Sequence, residues 1–185
     1  MIGGGTNLIV SDAGFPGIVL RCTANHIERR GRRVAAGAGA ELDVVAGFAV
    51  HHGLAGIETL ARIPGWMGGA VYGNAGAYGH SISERIARVT FCDGRSVRTL
   101  AGEECGFRYR DSIFKRRKDW AVAEVELELA EGDAAELARA AGEIARVRDE
   151  KFPPSMKCAG SIFKNLLLAE LPPRAAAQAP ESVVR

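Results

Sequence analysis

Long apolar runs are missing from this sequence. No stretch of about 18 apolar residues occurs, which excludes a membrane-spanning helix. The opening Met1-Ile2-Gly3-Gly4-Gly5-Thr6-Asn7 has neither the charged region nor the apolar core of a secretory leader. Cysteine is sparse. Cys22, Cys92, Cys105 and Cys158 form no C-x-x-C pair, and none stands at zinc-ligand spacing with His51 or His52, so the expectation is reduced thiols, no metal and a cytoplasmic setting. Charge of one sign is also lacking: 24 basic against 22 acidic residues leave a net +2, without the concentrated basic face that nucleic acid requires. The one local excess, Arg29, Arg30, Arg32 and Arg33, reads as a solvated turn beside a strand. There is no internal repeat, and the only biased stretch is the alanine-rich tail at residues 175–180. With 47% hydrophobic and 25% charged residues over 185 positions, a buried core is expected, in one domain or two small ones.

Glycine, by contrast, is abundant, at 23 residues, and unevenly placed. It clusters at residues 3–5, 37–39 and 65–79. Glycine is used where the chain turns tightly or where a ligand lies against bare main chain. Three clusters in a chain of this size suggest a backbone-lined binding site.

The periodicity between these clusters mixes strands and helices. Residues 8–10 and 18–20 read as short buried strands around a turn at residues 12–17, and residues 33–38 as a third strand. Leu42, Val45, Ala46 and Ala49 recur at helical spacing, with Gly53 as a stop. A helical turn is expected over residues 57–62, then a tight loop with one or two helical turns over 66–79. Asp93-Gly94 between two strand-like runs predicts a hairpin. Val125, Leu127 and Leu129 alternate with Glu124, Glu126 and Glu128, a strand with one buried and one wet face. Asp133, with Glu136 three residues on, caps a helix whose apolar stripe is Leu137, Ala141, Ile144 and Val147. With no clean βαβ repeat, the fold class is α+β with partly antiparallel sheets.

The first glycine segment, Gly3-Gly4-Gly5-Thr6-Asn7, leads into Leu8-Ile9-Val10. Successive bare N–H groups can converge on an anion, and Thr6 and Asn7 add side-chain donors. No Lys-Ser or Lys-Thr follows, so it is not a Walker loop; the apolar run follows the glycines instead of preceding them, so it is not a Rossmann fingerprint. By itself, such a segment is more often a flexible turn than a phosphate cradle. The second, Ile63-Pro64-Gly65-Trp66-Met67-Gly68-Gly69-Ala70 with Asn74-Ala75-Gly76-Ala77-Tyr78-Gly79, offers little side chain to build a core. A large flat cofactor against the main chain would supply the missing apolar surface, with Asn74 and Tyr78 placing polar groups at its rim.

Together, in this order and about 60 residues apart, the two segments resemble those of the UDP-N-acetylenolpyruvoylglucosamine reductases. The resemblance implies an FAD-binding domain of the p-cresol methylhydroxylase type. Gly3, Gly4, Gly5, Thr6 and Asn7 would hold the pyrophosphate, and Gly65, Gly68, Gly69, Asn74, Gly76, Ala77, Tyr78 and Gly79 would line the flavin. Residues 1–130 would be the FAD domain, and residues 131–185 a linker helix and the start of a substrate domain.

Two further motifs extend the resemblance. Tyr109-Arg110-Asp111-Ser112-Ile113-Phe114 is similar to the family's Tyr-Arg-x-Ser-x-Phe, which puts Arg110 over the flavin and Tyr109 against the substrate. Gly160-Ser161-Ile162-Phe163-Lys164-Asn165 is similar to Gly-Ser-x-Phe-Lys-Asn; it makes Ser161 the proton donor and Lys164 and Asn165 substrate contacts, with Leu166 standing where the family has proline. The implied reaction uses NADPH to reduce FAD, and the flavin to reduce the enolpyruvyl double bond of a UDP-sugar, in a monomer. A guanidinium suits the charge that builds on the enolpyruvyl carboxylate, and a hydroxyl can deliver the proton to the neighbouring carbon.

The family also implies a stretch before the glycine loop and a glutamate beyond residue 165; Glu181 does not match it. The expectation is therefore that the 185-residue chain alone turns over poorly or not at all. Two alternatives stay open. One is another flavoprotein of the same superfamily, an alcohol or aldonolactone oxidase, with His80 as a candidate tether. The other is an inactive fragment that binds nucleotide weakly.

Overall fold

A computed structural model of the protein describes residues 1–153, 155, 156, 165 and 171–178. In chain order the elements are β1 (Ile27–Arg30), β2 (Arg33–Gly37), α1 (Leu42–His51), β3 (Leu54–Ala55), α2 (Met67–Gly73), β4 (Gly76–Ala77), β5 (His80–Ser81), β6 (Ile86–Cys92), β7 (Val97–Ala101), α3 (Ile113–Arg116), β8 (Ala121–Glu128), β9 (Ala130–Glu131), α4 (Ala134–Lys151) and α5 (Pro173–Ala176). A five-stranded antiparallel sheet, ordered β1-β2-β8-β6-β7, carries the rest, so the α+β expectation holds.

The alternation in β8 makes this sheet two-faced. Val125 and Leu127 pair with Ala36 and Val34 of β2, and Val125 also with Val89 of β6; all are fully buried beneath α2, in one core cluster with Leu42, Val45 and Ala49 of α1. Phe91 extends that face into an aromatic cluster, stacked on Trp120 at 4.4 Å and edge-on to Phe114 at 5.4 Å. The opposite face is a charge ladder. Glu126 is not on a wet face as expected: it is 3% exposed, clamped between Arg33 at 3.0 Å and Arg88 at 2.8 Å. Three of the four clustered arginines are used locally. Arg30 pairs with Glu28, Arg32 with Glu128, and Arg33 with Glu126 and Glu128, while Arg29 donates to Gly31 O. The turn between β1 and β2 is made by Gly31, at φ 66°.

Several local expectations hold in detail. Gly53 terminates α1 at φ 65°. Asp93 closes the β6–β7 hairpin by accepting N–H bonds from Arg95 and Ser96, both at 2.9 Å, with Gly94 at φ 88°. Asp133 caps α4, its carboxylate accepting from Glu136 N at 2.9 Å. Cys105 is buried, its thiol donating to Ala101 O; burial, helped by Glu104, pushes its pKa up to about 11, so it is inert.

Three expectations fail. Residues 8–10 and 18–20 form no strands and lie in the open: Ile9 is 82% and Ile18 87% exposed. A strand needs a neighbour, and among the described residues the only bridge to this segment joins Ile2 to Arg21 in parallel. The stripe on α4 is only partly used. Leu137 is buried, but Val147 is 37% exposed; the small residues Ala138, Ala141, Gly142 and Ala145 of α4 line an open groove with Ala46, Gly47 and Val50 of α1. The glycines at 37 and 39 line no ligand site: a Cβ there would strike the main chain of Ala24 at 2.3 Å and of Cys22 at 2.8 Å.

Candidate functional site

The second glycine segment is shaped from α2 outward. Gly68 must be glycine because a Cβ would lie 3.0 Å from Ala38 Cβ; its N–H and that of Met67 bond Ala38 O and Ala40 O, pinning α2 to the end of β2. Gly69 and Gly73 have nothing within 4 Å of a would-be Cβ, so this helix also presents bare main chain to open space. Asn74 ends α2 in the left-handed region, at φ 46°. There follows a hairpin, β4 to β5, whose turn residues Tyr78 and Gly79 both have positive φ, 53° and 82°. Gly76 is required within it, since a Cβ would lie 2.4 Å from His80 O.

Asn74 is the hub. It is 6% exposed; its Nδ2 donates to Arg108 O at 3.0 Å and its Oδ1 accepts from Ser83 N at 3.3 Å. Its carbonyl accepts from Arg110 Nη1 at 3.3 Å, and Arg110 Nη2 donates to Gly76 O at 3.0 Å. Two neutral carbonyls thus aim the guanidinium without cancelling its charge, and no carboxylate pairs with it among the described residues. The adjacent Asp111 is neutralised by Arg116. Arg110 itself has φ 55°, and Lys115 Nζ donates to its carbonyl at 2.9 Å. Ser112, fully buried, caps α3 and donates to Tyr72 O at 2.8 Å, tying the arginine's segment to α2.

These residues enclose a cavity of about 510 Å³, in the range of small-molecule sites. Asn74, Gly76, Ala77, Tyr78, Gly79, Tyr109, Arg110 and Asn165, all expected on sequence grounds, line it together. His80 and Ser81 line it too. His80 Nδ1 lies 2.9 Å from Glu84 Oε2, and that imidazole, with the Ser81 N–H, holds the Glu84 carboxyl below its usual range. Of the four non-glycine residues with positive φ among the described residues, Asn74, Tyr78 and Arg110 are at this cavity, and such backbone strain concentrates at working sites.

The first glycine segment lies apart from the cavity, at the other end of α2. Thr6 Oγ1 lies 3.5 Å from Pro64 O, and a Cβ on Gly65 would lie 3.1 Å from that hydroxyl. Gly3 and Gly4 rest on the Trp66 indole. Among the described residues no protein acceptor meets the N–H of Gly3, Gly4, Gly5, Thr6 or Asn7. Bare glycine, unpaired N–H groups and an unneutralised arginine fit an extended anionic cofactor with a flat ring. Ser161 and Lys164 lie outside the described residues.

Sequence reasoning missed Trp66, Ser112 and the His80–Glu84 pair. A serine just before the apolar pair Ile113-Phe114 is an N-cap signal that could have marked Ser112.

A family model described as "FAD binding domain" matches residues 1–99. The UDP-N-acetylenolpyruvoylglucosamine reductase of Solibacter usitatus is 59% identical over 99% of this chain and 59% of its own length. That of Bacillus subtilis is 37% identical over 90% of this chain and 56% of its own. The crystal structure of UDP-N-acetylenolpyruvylglucosamine reductase (MurB) from Thermus caldophilus superposes with a TM-score of 0.76 at 32% identity, covering 89% of this chain and 60% of that one. The chain thus spans somewhat more than half the length of the relatives it matches.

Proposed function

This chain belongs to the FAD binding domain family, and from that premise we propose that it holds FAD along both glycine segments and serves the reaction named by its relatives. That reaction is the NADPH-dependent reduction of UDP-N-acetylglucosamine enolpyruvate to UDP-N-acetylmuramate, a step of peptidoglycan precursor synthesis. Residues 1–130 carry the cofactor, and residues 131–185 lead into the substrate side. The protein works as a cytoplasmic monomer; the free state of Cys22, Cys92 and Cys105 supports the reducing setting, and among the described residues no helix is long and apolar enough to cross a membrane.

FAD, when bound, supplies the hydride relay between NADPH and the enolpyruvyl double bond. The residues of the chain bind, orient and stabilise. The N–H groups of residues 3–7 would donate to the pyrophosphate oxygens, and Gly69, Gly76, Ala77 and Gly79 would let the ring system approach main chain. Arg110 carries the reading: its full charge is aimed by Asn74 O and Gly76 O into a cavity flanked by Tyr78 and Tyr109. As hydride adds, negative charge grows on the carboxylate side of the enolpyruvyl group, and a fixed, permanently charged fork stabilises it without reorganising. Asn165, on the same cavity wall, and Lys164 contact the substrate. Ser161 donates the proton to the carbon beside the carboxylate; a hydroxyl is a weak acid, so the step depends on the basicity of the enolate and on close placement.

The test begins with FAD added to the apo protein. The flavin spectrum shifts, the unfolding midpoint rises, and the colour leaves the chain on denaturation. NADPH then bleaches the bound flavin, and the enolpyruvyl UDP-sugar restores its colour only slowly, in keeping with the poor turnover expected of this chain alone. Arg110→Ala slows that restoration by about 10²–10³-fold while leaving FAD affinity within a few-fold. Absence of any FAD-induced spectral or thermal change overturns the assignment, and restoration at the unaltered rate in the variant removes Arg110 from the mechanism.

A further inference from the structure

The glycine loop at residues 3–7 rests on an aromatic platform that also carries a cation. A Cβ on Gly3 would lie 3.4 Å from Trp66 Cβ, and one on Gly4 3.2 Å from Trp66 Nε1, so the loop approaches the indole as closely as bare main chain allows. Against the same ring stands Arg21, its Cζ 4.6 Å from the centroid. The pairing of main chains places it there. Arg21 is the bridge partner of Ile2; Ile2 donates its N–H to Leu20 O at 2.8 Å and accepts from Cys22 N at 3.3 Å. Arg21 is therefore fixed beside the first residue of the loop, on a neighbouring strand-like segment.

The loop's five N–H groups lack protein acceptors among the described residues, and Arg21 has no carboxylate partner there. The contrast with other arginines is informative. Arg30, Arg32, Arg33, Arg62 and Arg88 are each engaged by carboxylates. A guanidinium held over an indole ring without a carboxylate partner keeps N–H donors that can fork onto phosphate oxygens.

We propose that Arg21, oriented by Trp66, is a cofactor-anchoring residue that pairs with the pyrophosphate held by the N–H groups of residues 3–7. The proposal rests on the FAD reading and adds a specific charge to it. The residues expected to line the flavin ring stand at the other end of α2, around Arg110, so the contribution of Arg21 would be confined to the phosphate half of the ligand. Loss of that contribution weakens a ligand bearing pyrophosphate and leaves one without phosphate unaffected.

The experiment titrates the full chain and its Arg21→Gln variant with FAD and, separately, with riboflavin, following flavin fluorescence. The variant binds FAD about ten-fold or more weakly and riboflavin equally well, with an unchanged unfolding midpoint in the absence of flavin. Equal FAD affinity in the two proteins overturns the role of Arg21 while leaving the FAD reading intact. An equal loss of FAD and riboflavin affinity also overturns it, because Arg21 would then be shaping the fold and not meeting phosphate. If the parent chain binds neither ligand, the FAD reading falls, and this proposal with it.

Discussion

Residues 2–22 and residues 27–131 handle apolar side chains in opposite ways. In the sheet body, Val34, Val89, Phe91, Val125 and Leu127 are almost wholly buried. In the N-terminal segment, Leu8, Ile9, Val10, Ile18, Val19 and Leu20 are each more than half exposed. The sequences are equally apolar; the difference is pairing. Each strand of the body has a hydrogen-bonded neighbour, and α2 packs on β2 and β8. The N-terminal segment has a single parallel bridge. Burial is thus a property of the partner as much as of the residue, and apolar character alone does not make a strand.

Paired substitutions should break this comparison if it is wrong. Phe91→Ala removes the centre of the aromatic cluster and should cost about 3–5 kcal/mol in denaturant unfolding. Ile9→Ser, at a position 82% exposed, should change stability by less than about 0.5 kcal/mol. Comparable costs at the two sites would mean that residue 9 is packed in solution. A smaller effect sharpens the view of the charged face. Glu126→Ala leaves Arg33 and Arg88 facing each other and should destabilise by about 1–3 kcal/mol, less at high salt, where screening eases that repulsion. An unchanged midpoint would show that this pairing contributes nothing beyond solvation. The smallest effect concerns the hairpin at the cavity. The Glu84 carboxyl is held below its usual range by His80 and the Ser81 N–H, so its folded pKa is the lower one. Its stabilising contribution is present above the ordinary carboxylate range and fades as pH falls through the depressed value. An acid titration of the native protein should show a slight loss that Glu84→Gln abolishes; identical acid profiles would dismiss the link.

How much could be read in advance varies with how local the cause is. Asp93-Gly94, Gly53 and Asp133 are local chemistry: a turn, a stop and a cap, each decided within a few residues, and each stands as expected. The cavity was legible because its small residues and arginine sit in short motifs, so eight expected residues line one space. What escaped was non-local. Nothing near Asn74 announces that its amide will reach Arg108 and Ser83, and nothing near Trp66 announces that Gly3 and Gly4 will lie on it. Glu126 was misplaced for the same reason. Alternation put it on the outer face, but its burial is decided by two arginines from other strands.

The contact between residues 22–26 and the glycines at 37 and 39 has a wider consequence. Gly37 N bonds His26 O at 3.0 Å, and Gly39 N bonds Ala24 O at 2.8 Å; a methyl group at either glycine would collide with that backbone. The glycine loop at residues 3–7 is therefore moored to the sheet through peptide groups and empty space, not through any particular side chain at residues 8–20. Mutation can rewrite those side chains over many generations without moving the mooring. One added carbon at position 37 or 39 would shift the whole N-terminal segment, and with it every donor it presents.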